Sequence, residues 1–145
     1  MPLSPTDGRT TDERMVLRFL DHWEQQDVDS LLACFTEDAS YIDMPLPPRH
    51  GVVEIRAYIE RVFAAFKVRI ETLHIASARN IVFTERVDNL TLNGADTPSV
   101  PLPVTGVMEL RDGKIAAWRD YLDLRTAEEG LGIAIRSTAT GASVG

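Results

Sequence analysis

The chain has 145 residues, 44% of them hydrophobic and 26% charged, and its 15 Lys and Arg against 22 Asp and Glu give a formal charge of −7. That profile describes one soluble globular domain, long enough to enclose a pocket without cross-links. It excludes an internal disulfide, because Cys34 stands alone, and argues against a nucleic-acid partner, because Lys67 and Lys114 are the only lysines.

The polar, Pro- and Gly-containing residues 1–10 are expected to form a flexible tail, as is the small, polar segment 136–145, leaving one domain over residues 11–135. Thr11, Asp12 and Glu13 mark a helix start, and Met15, Val16, Phe19, Leu20 and Trp23 follow on one stripe. Asp27 can cap a second, short helix that turns Leu31, Leu32 and Phe35 inward. Tyr41 and Asp43 share one face of a short strand that runs into the proline-rich loop Met44 to Pro48. The clearest helix follows Gly51, where Ile55, Tyr58, Ile59, Val62, Phe63 and Phe66 recur at steps of three and four. The period then becomes strand-like over about Val68 to Ala76, Ile81 to Leu92, Val100 to Arg111 and Lys114 to Leu124. Asp112-Gly113 joins the last two strands as a type I′ hairpin, and a short helix around Thr126 to Glu129 closes the domain. Helices first and an antiparallel meander afterwards predict an α+β fold in which helices cover one face of a curved sheet and a cavity forms between them.

Alternation places the chemistry. The last strand puts Ala116, Trp118, Asp120, Leu122 and Leu124 on one face, so Asp120 is a carboxylate among apolar neighbours and requires a partner. The strand Ile81 to Leu92 carries Val82, Thr84, Arg86, Asp88, Leu90 and Leu92 on one face, which makes Arg86 that partner. Between them Val100, Leu102, Val104, Met108 and Leu110 are apolar, and Gly106 permits close approach. One guanidinium between Asp88 and Asp120 can serve as a structural ion pair. Two carboxylates crowded on one cation also resist full ionisation, which leaves a protonated acid beside an ionised base at neutral pH. If Asp43 faces the same place, three carboxylates share the charge of Arg86.

The remaining polar residues carry less. Cys34 lies on an apolar stripe with no activating base nearby, and His22 reads as a surface residue. His74 lies in a strand from which it could reach the cavity, without a nucleophile beside it. The three histidines and one cysteine have no zinc-ligand spacing, so no metal is expected. Neither a phosphate-binding glycine loop nor a G-x-S-x-G elbow occurs, so no nucleotide cofactor is expected. No apolar run reaches membrane-spanning length and no signal segment opens the chain, so a cytoplasmic protein without a membrane partner is expected.

From about Arg14 to about Gly130, through YIDMPLPP, HGVVEIRAYI, FTERVD, GVMEL and DGKIAAWRDYLDLRTAEE, the chain resembles the limonene-1,2-epoxide hydrolase family. The resemblance implies the fold of the ketosteroid isomerase and nuclear-transport-factor superfamily. That fold is a cone-shaped α+β barrel, with a curved mixed sheet and helices closing a deep pocket, usually as a homodimer. It implies that Arg86 and Asp88 are the family's Arg-x-Asp, that Asp120 is the aspartate of its Trp-Arg-Asp, and that Tyr41 helps to hold a catalytic water. It also implies a pocket wall of Leu20, Trp23, Val62, Phe66, Val68, Leu90, Leu102, Val104 and Leu122. One position departs, for Asp43 stands where the family has an asparagine, and a carboxylate accepts where an amide also donates.

The activity implied is cofactor-independent hydrolysis of a terpene-like, alicyclic or aromatic epoxide to a vicinal diol in one step. Asp120 takes a proton from a water held by Tyr41 and Asp43, Asp88 protonates the opening oxygen, and Arg86 bridges the two. Isomerase or cyclase chemistry on the same scaffold is one alternative; a non-catalytic carrier of an apolar ligand is another.

Overall fold

The computed structural model describes residues 1–135; the expected tail 136–145 lies outside them. Helix α1 (Thr11–His22) starts at Thr10, whose side chain accepts from the Glu13 amide, and Asp12 and Glu13 in its first turn suit the positive end of the helix dipole. Its buried stripe of Val16, Leu17, Phe19 and Leu20 packs onto the sheet. Helix α2 (Val28–Leu32) is capped by Asp27 as expected, but Phe35 does not extend it. Instead Phe35 opens strand β1 (Phe35–Met44), and its ring is buried there against Phe19. After the two-residue strand β2 (Arg49–His50), helix α3 (Gly51–Ala65) begins at Gly51, whose φ of 80° is open to glycine at little cost.

Four long strands complete the sheet: β3 (Phe66–Ala78), β4 (Ile81–Leu92), β5 (Val100–Arg111) and β6 (Lys114–Leu122). The order across the sheet is β2-β1-β6-β5-β4-β3, antiparallel throughout except for the parallel pair β1 and β6. The sheet is therefore mixed, and it is an open cone with free edges rather than a closed barrel. Asp112 and Gly113, both at positive φ, form the β5–β6 turn as the type I′ reading requires. β6 ends at Leu122, two residues early, because Asp123 caps the closing helix α4 (Leu124–Leu131), accepting from the Arg125 amide and from the Thr126 hydroxyl. The segment 1–10 contributes a short turn at Pro5–Asp7, and the Leu3 amide donates to the Thr72 carbonyl of β3 at 2.7 Å.

Two irregularities move side chains away from simple alternation. In β3 the register shifts between Thr72 and His74, so the inward set passes from Val68, Ile70 and Thr72 to Ile75, and His74 turns outward. In β6 the register shifts where Glu109 pairs with Ala117 and Leu110 with Ile115, and the completely buried residue is Ile115 rather than Ala116. A one-residue bulge reverses every side chain beyond it. The core under the helices has an aromatic centre: the rings of Phe19, Trp23, Phe35 and Tyr41 gather around Trp118, with Tyr41 stacked on its indole at 4.2 Å. No helix of the described residues is long and apolar enough to cross a membrane.

Candidate active site

Asp120, Arg86 and Asp88 come together at the floor of a cavity of about 280 Å³ between the concave face of the sheet and the helices. Asp120 lies on β6 and Arg86 on β4, so strand β5 runs between them. Gly106 is the β5 residue opposite both Asp120 and Thr84. A Cβ there would collide with Arg86 Nη1 and lie 2.7 Å from Asp120 Oδ1, so only glycine leaves the lane through which the guanidinium crosses β5. Through that lane Arg86 Nη1 and Nη2 donate to the two oxygens of Asp120 at 2.9 Å each. Its Nε and Nη2 donate to Asp88 at 3.1 and 2.8 Å. The guanidinium is thus bidentate to both carboxylates, the geometry that best offsets burial of three charges.

The three charges differ in exposure. The Arg86 side chain is fully buried behind the two aspartates, whereas Asp88 and Asp120 line the cavity at 14% and 4% exposure. Asp120 also accepts from the Trp118 indole N–H at 2.6 Å, a bond that links the site to the aromatic core. Burial pushes the Asp120 carboxyl up to about 6, against the pull of Arg86, and the negative charges of Asp43 and Asp88 push the same way. Arg86 keeps its proton far above neutral pH: burial works against its charge, but Asp120 and Asp88 outweigh it.

Asp43 does share the site. It pairs in register with Asp120 across the parallel strands, as Tyr41 pairs with Trp118, and both Asp43 and Tyr41 line the cavity. It does not draw on Arg86, however. Arg49 Nη2 donates to Asp43 Oδ2 at 3.0 Å, and the Tyr58 hydroxyl donates to the same oxygen at 2.6 Å. The expectation of three carboxylates on one guanidinium is corrected accordingly: Asp43 has a guanidinium of its own, that of Arg49. Arg49 is held in turn between the rings of Tyr58 and Tyr41, 3.6 and 4.4 Å from its guanidinium carbon. Burial, then the charge of Asp43, keeps both tyrosine hydroxyls protonated well above their ordinary range.

Most of the expected wall faces the cavity: Trp23, Val62, Phe66, Val68, Leu90, Leu102 and Leu122. Leu20 and Val104 do not. Leu20 points into the core on the α1 stripe, and Val104 packs with Leu102 and Ala127 beneath α4. The wall has a further stretch that the pattern of single strands could not reveal, with Leu46 and Pro47 from the loop before β2 and Leu124, Ala127 and Leu131 from α4. His74 is outside the site, hydrogen-bonded to Glu85 at 2.7 Å on the outer surface. Cys34 is half-buried and donates to the Ser30 carbonyl; burial raises its thiol, so it is packing.

A partly open apolar cavity with a carboxylate–guanidinium–carboxylate floor, in an open mixed cone of sheet and helix, places the chain among the small α+β pocket proteins of the nuclear-transport-factor type. Residues 16–118 match the family model described as the SnoaL-like domain, and the chain belongs to that family. It is similar to the epoxide hydrolase EphG of Mycobacterium tuberculosis (strain ATCC 25618 / H37Rv), with 29% identity over 113 residues that cover 78% of this chain and 74% of that protein. Among solved structures it resembles an M. tuberculosis LEH-like epoxide hydrolase, with a TM-score of 0.74 and 25% identity over 91% of this chain and 97% of that one. It shares its fold as well with the epoxide hydrolase/cyclase-like enzyme SalBIII, with a TM-score of 0.72 and 22% identity over 79% of this chain and 92% of that one.

Proposed function

We propose that the protein hydrolyses an apolar epoxide to a vicinal diol by direct attack of water. The observation that carries this reading is the pair Asp88 and Asp120, both bound to one buried guanidinium and both facing an apolar cavity. The likeness in sequence to the epoxide hydrolase EphG and in structure to an LEH-like epoxide hydrolase supports the same chemistry. Asp120 accepts a proton from a water that Tyr41 and Asp43 hold beside it. The water oxygen forms a bond to an epoxide carbon, the C–O bond of the ring breaks, and the departing oxygen takes the proton of Asp88. Arg86 holds the two carboxylates at fixed separation and offsets their charge. Limonene-1,2-epoxide and similar alicyclic or aromatic epoxides fit a wall of Trp23, Val62, Phe66 and Leu122, and are the class to test. A panel of such epoxides, with the products separated by chiral chromatography, tests the reading: diol formation supports it, and an isomerised or cyclised product, or binding without turnover, overturns it.

The pH dependence follows from the proton count. The transition state needs a single proton on the carboxylate pair, to be given by Asp88, while Asp120 is free to accept another. Burial favours a proton on Asp120 at rest, but the count is the same whichever carboxyl carries it. As pH rises through about 6 the pair loses that proton, so kcat/KM is expected to fall on the alkaline side with a midpoint near 6. A profile for kcat/KM checks this; a rate that climbs steadily between pH 6 and 8 contradicts it.

We further propose that two copies associate through the outer face of the sheet, as the family resemblance implies. The exposure of Phe83 and Tyr121 on that face, at 43% and 44%, supports a covered surface there.

A further inference from the structure

The charge opposite Asp120 is the feature that the triad of Asp88, Arg86 and Asp120 leaves unexplained. An amide at position 43 would leave the Asp120 carboxylate facing a neutral group across the β1–β6 register, whereas this chain places a second carboxylate there. A buried carboxylate needs a cation, and β2, only two residues long, supplies Arg49. The side chains of Asp43 and Arg49 are 10% and 11% exposed, their ion pair is 3.0 Å long, and the Tyr58 hydroxyl closes it from α3. The pair is built as carefully as the triad.

We propose that Asp43 and Arg49 form a second carboxylate–guanidinium pair that sets the basicity of Asp120, with Asp43 acting across the strand register and Arg49 as its positioning residue. The groups facing Asp120 are few. β4 presents Arg86 and Asp88, β1 presents Tyr41 and Asp43, β2 presents Arg49, and α3 presents Tyr58; β5 offers Gly106 there, and Arg61 of α3 also lines the cavity but is exposed. Both tyrosines stay neutral, so Asp43 and Arg49 are the buried charges that distinguish this site from a single triad. A like charge makes a carboxylate hold its proton more tightly, and a cation does the reverse. Asp43 therefore makes Asp120 the stronger base, and Arg49 limits the effect while aiming Asp43 at the water. The role at the water rests on the proposed hydrolysis; the charge coupling does not.

The test is a titration of the full-length protein labelled with 13C at the aspartate carboxyls, with the Asp120 signal assigned by its loss in Asp120→Asn. In Asp43→Asn the midpoint of Asp120 should fall by roughly one pH unit, because the like charge is removed and Arg49 is left uncompensated. In Arg49→Gln it should rise by a similar amount, in Arg49→Lys it should stay near the wild-type value, and in the double variant Asp43→Asn/Arg49→Gln it should return toward it. With limonene-1,2-epoxide as probe, the alkaline limb of kcat/KM should move in the same directions. Shifts of the same sign in the two single variants, or no shift in either, overturn the proposal; if Arg49→Gln does not fold, an unmoved midpoint in Asp43→Asn overturns it alone. Absence of diol formation by the wild-type protein would defeat the proposed hydrolysis and leave the titration still decisive.

Discussion

Asp120→Asn is expected to lower kcat/KM for epoxide hydrolysis by about a thousandfold, the usual worth of a positioned general acid or base. The amide keeps the shape of the side chain, and its oxygen can still accept from the Trp118 indole N–H and from one nitrogen of Arg86. Its NH2 cannot accept a proton, so what is lost is the chemistry. Asp88→Asn should lose as much, since the ring oxygen then departs without a proton donor. The two losses should not add, because both residues serve one proton transfer. A double variant that is no slower than either single one, assayed below its unfolding temperature, checks this; that variant leaves the buried Arg86 without a carboxylate and should unfold at a lower temperature than the wild type. Retention of a tenth or more of wild-type activity by either single variant contradicts the assigned roles.

Arg86→Gln should unfold the protein more readily as well as silence it. Arg86 is the fully buried partner of two carboxylates, and removing one member of such a group strands the others in the interior. The cost of a stranded buried charge is about 3 to 5 kcal/mol, which in a domain of this size lowers Tm by roughly 10 °C. The neutral combination Arg86→Gln, Asp88→Asn and Asp120→Asn strands no charge and should recover much of that loss while remaining inactive. Recovery of stability without activity separates the two parts played by the guanidinium: it holds the site together and it holds the carboxylates apart. Equal destabilisation in the single and triple variants would mean that the loss comes from packing instead.

Much of this site is legible in the sequence because a sheet alternates with a fixed period. Asp120 between Trp118 and Leu122, and Arg86 and Asp88 on the even face of their strand, declare themselves as charges where apolar residues belong. Gly106 is legible for the same reason, as the gap in an apolar face. His74 is misplaced by the same rule, because the shift after Thr72 reverses the faces and nothing in LHIASA announces it. Arg49 and Tyr58 are missed for a different reason. Arg49 follows three prolines of a loop, and Tyr58 sits on a helical stripe where an aromatic ring reads as core. Their union with Asp43 is made by tertiary packing alone, although an aspartate in the place of an amide is itself a sign that a cation must be near. The wall supplied by α4 was hidden because Leu124 reads as the end of a strand until Asp123 is seen as a cap.

The origin of the new oxygen tests the central claim most directly. A single turnover of limonene-1,2-epoxide with excess enzyme in 18O-labelled water, with the diol analysed by mass spectrometry, distinguishes attack by water from attack by a carboxylate. Direct attack on the epoxide, with Asp120 as base, predicts one atom of 18O in the diol from the first turnover. A diol whose new oxygen is unlabelled would have received it from an aspartate of the enzyme through an ester, and would contradict that mechanism.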